Sequence, residues 1–146
     1  MGADGYDGGA GKRLPRQGGG SIAALKHIAS CSFGKDSLAT ILLALEHGEP
    51  LDEAVYCEVM FDKTISGEVP EHRDFICHTA IPKLERMGVK VRVLRAEKTY
   101  VDLFTGTVTR GPKKGMLRAF PICGKCYVQR DCKIKPICRY QKSLPA

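Results

Sequence analysis

The stretch SCSFGKDSLATILLALEHG, Ser30 to Gly48, decides how this chain is read. A small, turn-forming segment holding one lysine and one aspartate runs straight into an apolar helix. Upstream, LKHIASCS (25–32) reads as a short buried strand, and the helix is expected from about Asp36 to His47. Gly48 is its natural stop, with Pro50 just beyond. A glycine-containing turn between a strand and a helix gathers unpaired backbone N–H groups around one point, and the helix dipole makes that point attractive to anions. Gly34 lets a ligand approach the backbone, Lys35 adds a cation, and Ser32 and Ser37 add hydroxyl donors. Asp36 could carry magnesium, because hard cations prefer carboxylate oxygen. The plainer alternative is an ordinary turn whose Gly and Ser serve geometry alone.

Working outward, EAVYCEVMF (53–61) is β-branched and aromatic enough for a second strand. EVPEHRDFICHTAIPKLERMG (68–88) reads as a helix with Pro70 in its first turn and Phe75, Ile76, Ile81 and Leu84 facing inward. Pro82 is expected to kink or split it. VKVRVLR (89–95) alternates as a third strand, TYVDLFTGTV (99–108) reads as a further helix, and TRGPKKG (109–115) as a loop. Strand, helix, strand, helix, strand implies a parallel sheet with right-handed crossover helices. The expected class is therefore α/β, a three-layer, Rossmann-like parallel sheet. Such sheets bind ligands beyond the carboxyl ends of their strands, and the quoted turn falls at that edge.

A chain of 146 residues, 43% hydrophobic, suits one domain with a sizeable core. No apolar run approaches the roughly 18–20 residues that span a membrane, and the start lacks a secretory signal pattern. A cytoplasmic location and no membrane partner are the expectations. MGADGYDGGAGKRLPRQGGG opens the chain with eight glycines and almost no apolar side chains, so residues 1–22 are expected to form a disordered leader. Residues 23–118 would be the α/β domain carrying the anion-attracting turn, and 119–146 a small, basic, cysteine-rich segment. The net charge of +7 is uneven: ten Lys and Arg face one acid, Asp131, between Arg110 and Lys142. That patch favours nucleotide, phosphate or nucleic acid, or is simply a solvated basic face.

The seven cysteines are Cys31, Cys57, Cys77, Cys123, Cys126, Cys132 and Cys138. An odd count without a signal argues against a disulfide framework. Cys31, Cys57 and Cys77 fall in segments read as buried, where a thiol serves as a small apolar side chain. In CGKCYVQRDCKIKPIC the Cys-x-x-Cys pair has metal-ligand spacing. Cys123, Cys126, Cys132 and Cys138 are thus candidates for zinc or an iron–sulfur cluster, for a redox-active pair, or for plain structural thiols. The four histidines show no persuasive ligand spacing.

The turn is not the common nucleotide loop G-x-x-x-x-G-K-[ST], which would need Gly at 29 and Ser or Thr at 36, where Ala29 and Asp36 stand. It resembles the pyrophosphate-binding loop S-G-G-x-D-S of the PP-loop ATP pyrophosphatases. Ser32, Gly34, Asp36 and Ser37 match, and Phe33 replaces the first glycine, where its side chain would narrow the approach to the phosphates. A phenylalanine there is similar to the phosphoadenosine phosphosulfate (PAPS) reductase family, within the adenine nucleotide alpha-hydrolase-like superfamily. VMFD after the second strand and GEVPEH opening the next helix resemble the family's acidic turn and Phe-Pro-Glu-Thr-like segment. KIKPI (133–137) resembles its later basic segment. On that resemblance Asp62, Pro70 and Glu71 lie near the nucleotide, Lys133 and Lys135 meet phosphates, and residues 27–138 are covered.

The resemblance implies binding of ATP or an adenylyl sulfate, with magnesium if the ligand is ATP. PP-loops cleave ATP between its α and β phosphates, whereas the reductases attack an adenylyl sulfate with a thiol. The reductases' Glu-Cys-Gly-type nucleophile motif is absent from this sequence, so no catalytic residue is assigned. A transferase or reductase in sulfur transfer or sulfonucleotide metabolism is the leading expectation, with a thiol reductant or sulfur donor as partner. The rivals are a metal-thiolate module binding nucleic acid, an ATP-dependent RNA thiolation enzyme, and an inactive, truncated family member.

Overall fold

A computed structural model describes residues 25–118 and 126–144. The expected leader and Cys123 lie outside the described residues. In chain order the elements are β1 (Ile28–Ser30), α1 (Lys35–Glu46), β2 (Glu53–Glu58), α2 (Pro70–Phe75), α3 (Ile81–Arg86), β3 (Lys90–Arg95), α4 (Tyr100–Phe104) and α5 (Lys135–Ser143). A π-helical turn, Ile76–Ala80, joins α2 to α3, and a second, Gln129–Ile134, leads into α5. The result is a mixed α/β fold around a small parallel sheet of order β1-β2-β3. Ile28 pairs with Glu53, and Glu53 with Lys90, so all three strands begin level and point the same way, β1 ending opposite Val55, three residues before the ends of β2 and β3.

All six residues of β2 are buried. A central parallel strand needs cover on both faces, and alternation sends successive side chains to opposite sides. Ala54 and Tyr56 join one cluster with Ile41 of α1, Ile76, Leu84 of α3 and Val89. On the other face the Cys57 thiol donates to the Cys132 carbonyl at 3.0 Å, and the Tyr140 hydroxyl donates to the Glu53 carboxylate. The α1 helix contributes Leu38, Ile41 and Leu45, one stripe at helical spacing, and stops at Gly48 with φ +68°.

The kink expected at Pro82 takes a specific form. The Ile81 N–H reaches back five residues to the Ile76 carbonyl, and the helix then runs on to Arg86. Widening the turn before the proline spares its ring a clash with the preceding turn of carbonyls, so the chain bends without stopping. The same device recurs before Pro136, where the Lys135 N–H bonds to the Arg130 carbonyl. Two inward assignments are corrected here. Ile76, Ala80 and Leu84 form the buried stripe, and their neighbours Phe75 and Cys77 turn outward, one residue to either side of it. The helix read over 99–108 is shorter, ending at Phe104. Thr107 and Leu117 then pair in an isolated antiparallel bridge that closes the 109–115 loop.

The C-terminal segment packs directly on the sheet. Cys132 is fully buried, its thiol donating to the Lys98 carbonyl at 3.3 Å. Glu53, at 0% exposure, takes Lys26 and Arg92 at 2.8 Å each besides Tyr140. Glu58, at the far end of β2, takes Arg73 and Arg95. Buried carboxylates need such donors, since an unpaired charge there would cost several kcal/mol.

Candidate functional site

The carboxyl ends of the strands lead into three segments along one rim: Ser32–Gly34 after β1, Met60–Asp62 after β2, and Ala96–Lys98 after β3. At the first, Gly34 sits at the N-cap of α1 with extended backbone and no side-chain cap. The first helical amides, of Lys35, Asp36 and Ser37, therefore have no hydrogen-bond partner among the described residues; the ladder begins with Leu38 N–H to the Gly34 carbonyl at 3.1 Å. The two amides before them are engaged. Phe33 N–H points to the Cys31 sulfur at 3.3 Å, and Gly34 N–H to the Ser32 hydroxyl at 3.4 Å. Ser37 closes the turn by donating to the Gly34 carbonyl at 3.0 Å. Ser32, Lys35 and Asp36 are exposed.

Phe33 does not narrow the approach to this turn. Its φ of +58° is left-handed, a conformation costing roughly 1–2 kcal/mol for a residue with a Cβ. That backbone position is the one where the S-G-G-x-D-S pattern carries its first glycine. Here the ring is 2% exposed and meets Tyr56 edge-on at 5.2 Å. Burial of an aromatic of this size contributes about 2–3 kcal/mol, enough to offset the strain. The Phe33 carbonyl in turn lies 3.4 Å from His72 Nε2, whose Nδ1 is 3.3 Å from Glu68. His72 thus ties the first turn of α2, with Pro70 and Glu71, to the loop. Sequence reasoning passed over it, because its partner is 39 residues away and no local spacing marks it.

Other expected site residues are placed differently. One oxygen of Asp62 accepts from the Thr64 and Ile65 amides at 2.7 and 2.6 Å and from the Thr64 hydroxyl. Those backbone amides hold its carboxyl below the usual range, and the residue organises its own turn. Lys135 pairs with Asp131 at 2.7 Å and lines a cavity beyond β3 that takes no wall residue from Ser32–Ser37. Lys133 lies near Cys57 instead. Burial pushes the Cys57 thiol up to about 11, against the pull of the Lys133 ammonium.

Of the candidate metal cysteines, Cys132 is buried against Lys98 and its thiol is raised by that burial. Cys126 and Cys138 are exposed, and the Cys126 sulfur accepts the Gln129 amide at 3.4 Å, serving as a cap for the helical turn that follows. Among the described residues no three of His, Cys, Asp and Glu converge as metal ligands. Nor is any described helix long and apolar enough to cross a membrane. Compared with known proteins, the chain matches no family model, no curated protein and no solved structure.

Proposed function

We propose that the protein binds an adenine nucleotide, ATP or an adenylyl sulfate, through the Ser32–Ser37 loop, as a Rossmann-like member of the PAPS reductase and PP-loop group acting in sulfur transfer or sulfonucleotide metabolism. One observation carries the reading: three unpartnered amides, of Lys35, Asp36 and Ser37, open a twelve-residue helix at the carboxyl end of a parallel strand. Amides at such a terminus favour phosphoryl oxygens through both hydrogen bonding and the helix dipole. The Lys35 ammonium would neutralise charge on the terminal phosphates, and the Ser32 hydroxyl would add a donor, while the Ser37 hydroxyl holds the turn through the Gly34 carbonyl. The exposed Asp36 carboxylate is a suitable oxygen ligand for magnesium beside the phosphates. Bound metal would spread the negative charge that develops on a departing pyrophosphate.

The test is calorimetric titration of the full chain with ATP, PAPS and adenylyl sulfate, with and without magnesium. Lys35→Ala combined with Asp36→Ala is expected to weaken binding by at least roughly tenfold, the loss of charge-assisted contacts. Unchanged affinity for all three ligands would reject the loop as their site.

A further inference from the structure

A strongly charged concavity lies away from the loop. Beyond the carboxyl end of β3 a cavity of about 650 Å³ is walled by the β3–α4 connection, by Arg118, and by the helical segment leading into and through α5. Six cationic side chains line it: Arg95, Lys98, Arg118, Arg130, Lys135 and Arg139. Only two carboxylates do, Glu97 and Asp131. Asp131 is shared between Arg130 and Lys135 at 2.7 Å each, Glu97 takes Arg139 at 3.3 Å, and Arg95 is drawn back to Glu58 at 2.6 Å. Lys98 and Arg118 form no ion pair within 4 Å among the described residues.

The walls are built rather than incidental. The Lys98 carbonyl accepts the buried Cys132 thiol, which fixes the β3–α4 connection against the helical wall. Arg118 is held on the third side, with its Nε donating to the Thr107 carbonyl at 3.2 Å and its amide to the Gly106 carbonyl at 2.8 Å. Converging like charges repel one another, and an anion in the cavity would relieve that repulsion. The volume falls within the roughly 300–1,000 Å³ of small-molecule sites.

We propose that this cavity is a second anion site, separate from the Ser32–Ser37 loop, for a small molecule bearing adjoining phosphate or sulfate groups. Lys98 and Arg118 supply the charge that no ion pair within 4 Å holds, and Arg130, Lys135 and Arg139 form a rim whose pairs with Asp131 and Glu97 can be shared with the ligand. The site does not depend on the loop's being a nucleotide cradle.

Inorganic pyrophosphate is the probe, titrated calorimetrically into the full chain at low salt. The loop variant Lys35→Ala/Asp36→Ala serves as background, so that binding at the loop does not obscure the cavity. That variant should retain saturable pyrophosphate binding, and adding Lys98→Ala/Arg118→Ala should weaken it by roughly tenfold or more. Lys98→Arg alone, which keeps the charge and leaves the Arg118 bond to Thr107 intact, should hold affinity within about threefold, which separates loss of charge from loss of fold. The inference is overturned if the loop variant binds no pyrophosphate, or if removing Lys98 and Arg118 changes affinity by less than about twofold. Binding of a short single-stranded RNA through the same residues, with none of pyrophosphate, would equally overturn the small-anion assignment. Failure here leaves ATP and adenylyl sulfate binding at the loop as a separate reading on wild-type protein.

Discussion

The two faces of the sheet are held by different physics. On one, Ala54 and Tyr56 meet Ile41, Ile76, Leu84 and Val89, and Phe33 packs among them; the contacts are apolar and non-directional. On the other, Glu53 is clasped by Lys26, Arg92 and Tyr140, and the Cys57 and Cys132 thiols donate to backbone carbonyls. Area removed from water dominates the first face, and the second gains geometric specificity, because each buried polar group must find its own partner. The apolar face backs the Ser32–Ser37 loop, and the polar face anchors the segment that walls the basic cavity. Each rim site thus inherits its rigidity from a different side of β2.

The largest effect should come from breaking the apolar face. Leu84→Ala leaves a void in a side chain that is 2% exposed, and should cost about 3 kcal/mol in urea unfolding. A loss below about 1 kcal/mol would show that this face is not the principal support.

The polar face should respond less to truncation and more to pH. Burial opposes the Glu53 charge, yet Lys26, Tyr140 and Arg92 together bring its carboxyl down to about 2 from an ordinary 4.5. A depressed carboxyl contributes stability above its unfolded value, and that contribution is lost as pH falls from about 4.5 through about 2. Glu53→Gln should therefore cost about 2 kcal/mol at neutral pH and flatten the acid limb of the stability profile. An acid limb as steep as the wild type's would place the titrating group elsewhere.

Phe33→Gly sharpens the comparison at the loop. It relieves the left-handed strain but removes a buried ring, so a net loss of about 1 kcal/mol is expected from the denaturation midpoint. A gain in stability would mean that strain outweighs packing at this position. The smallest effect is kinetic and needs no substitution. At mildly alkaline pH, Cys77, Cys126 and Cys138 are exposed and should alkylate readily, whereas buried Cys31, Cys57 and Cys132 should stay protected until unfolding. Mass-spectrometric mapping that finds Cys132 modified early would contradict its docking against Lys98.

This contrast also explains what the sequence made legible. Helix and strand periodicity is a local signal, so α1, β2, β3 and the long helical run around Pro82 were readable within a few residues. A parallel sheet followed from their alternation, though not its order β1-β2-β3. The strand–turn–helix junction was legible because its residues are contiguous. The polar face was not, since Glu53 finds Arg92 39 residues away and Tyr140 87 residues away. Ion pairs and thiol–carbonyl bonds leave no period in a chain. Phe33 was read by residue type as an obstruction, because its direction depends on a Tyr56 that only the fold brings near. The basic cavity, likewise, was visible beforehand only as a surplus of positive charge.

The ring beneath the loop has a further consequence. A glycine hinge would let this turn relax independently, but here its shape is clamped from below by a side chain wedged into the interior. Warming should therefore loosen the turn in step with the surrounding hydrophobic packing, so that the order of the loop and of the core is lost together.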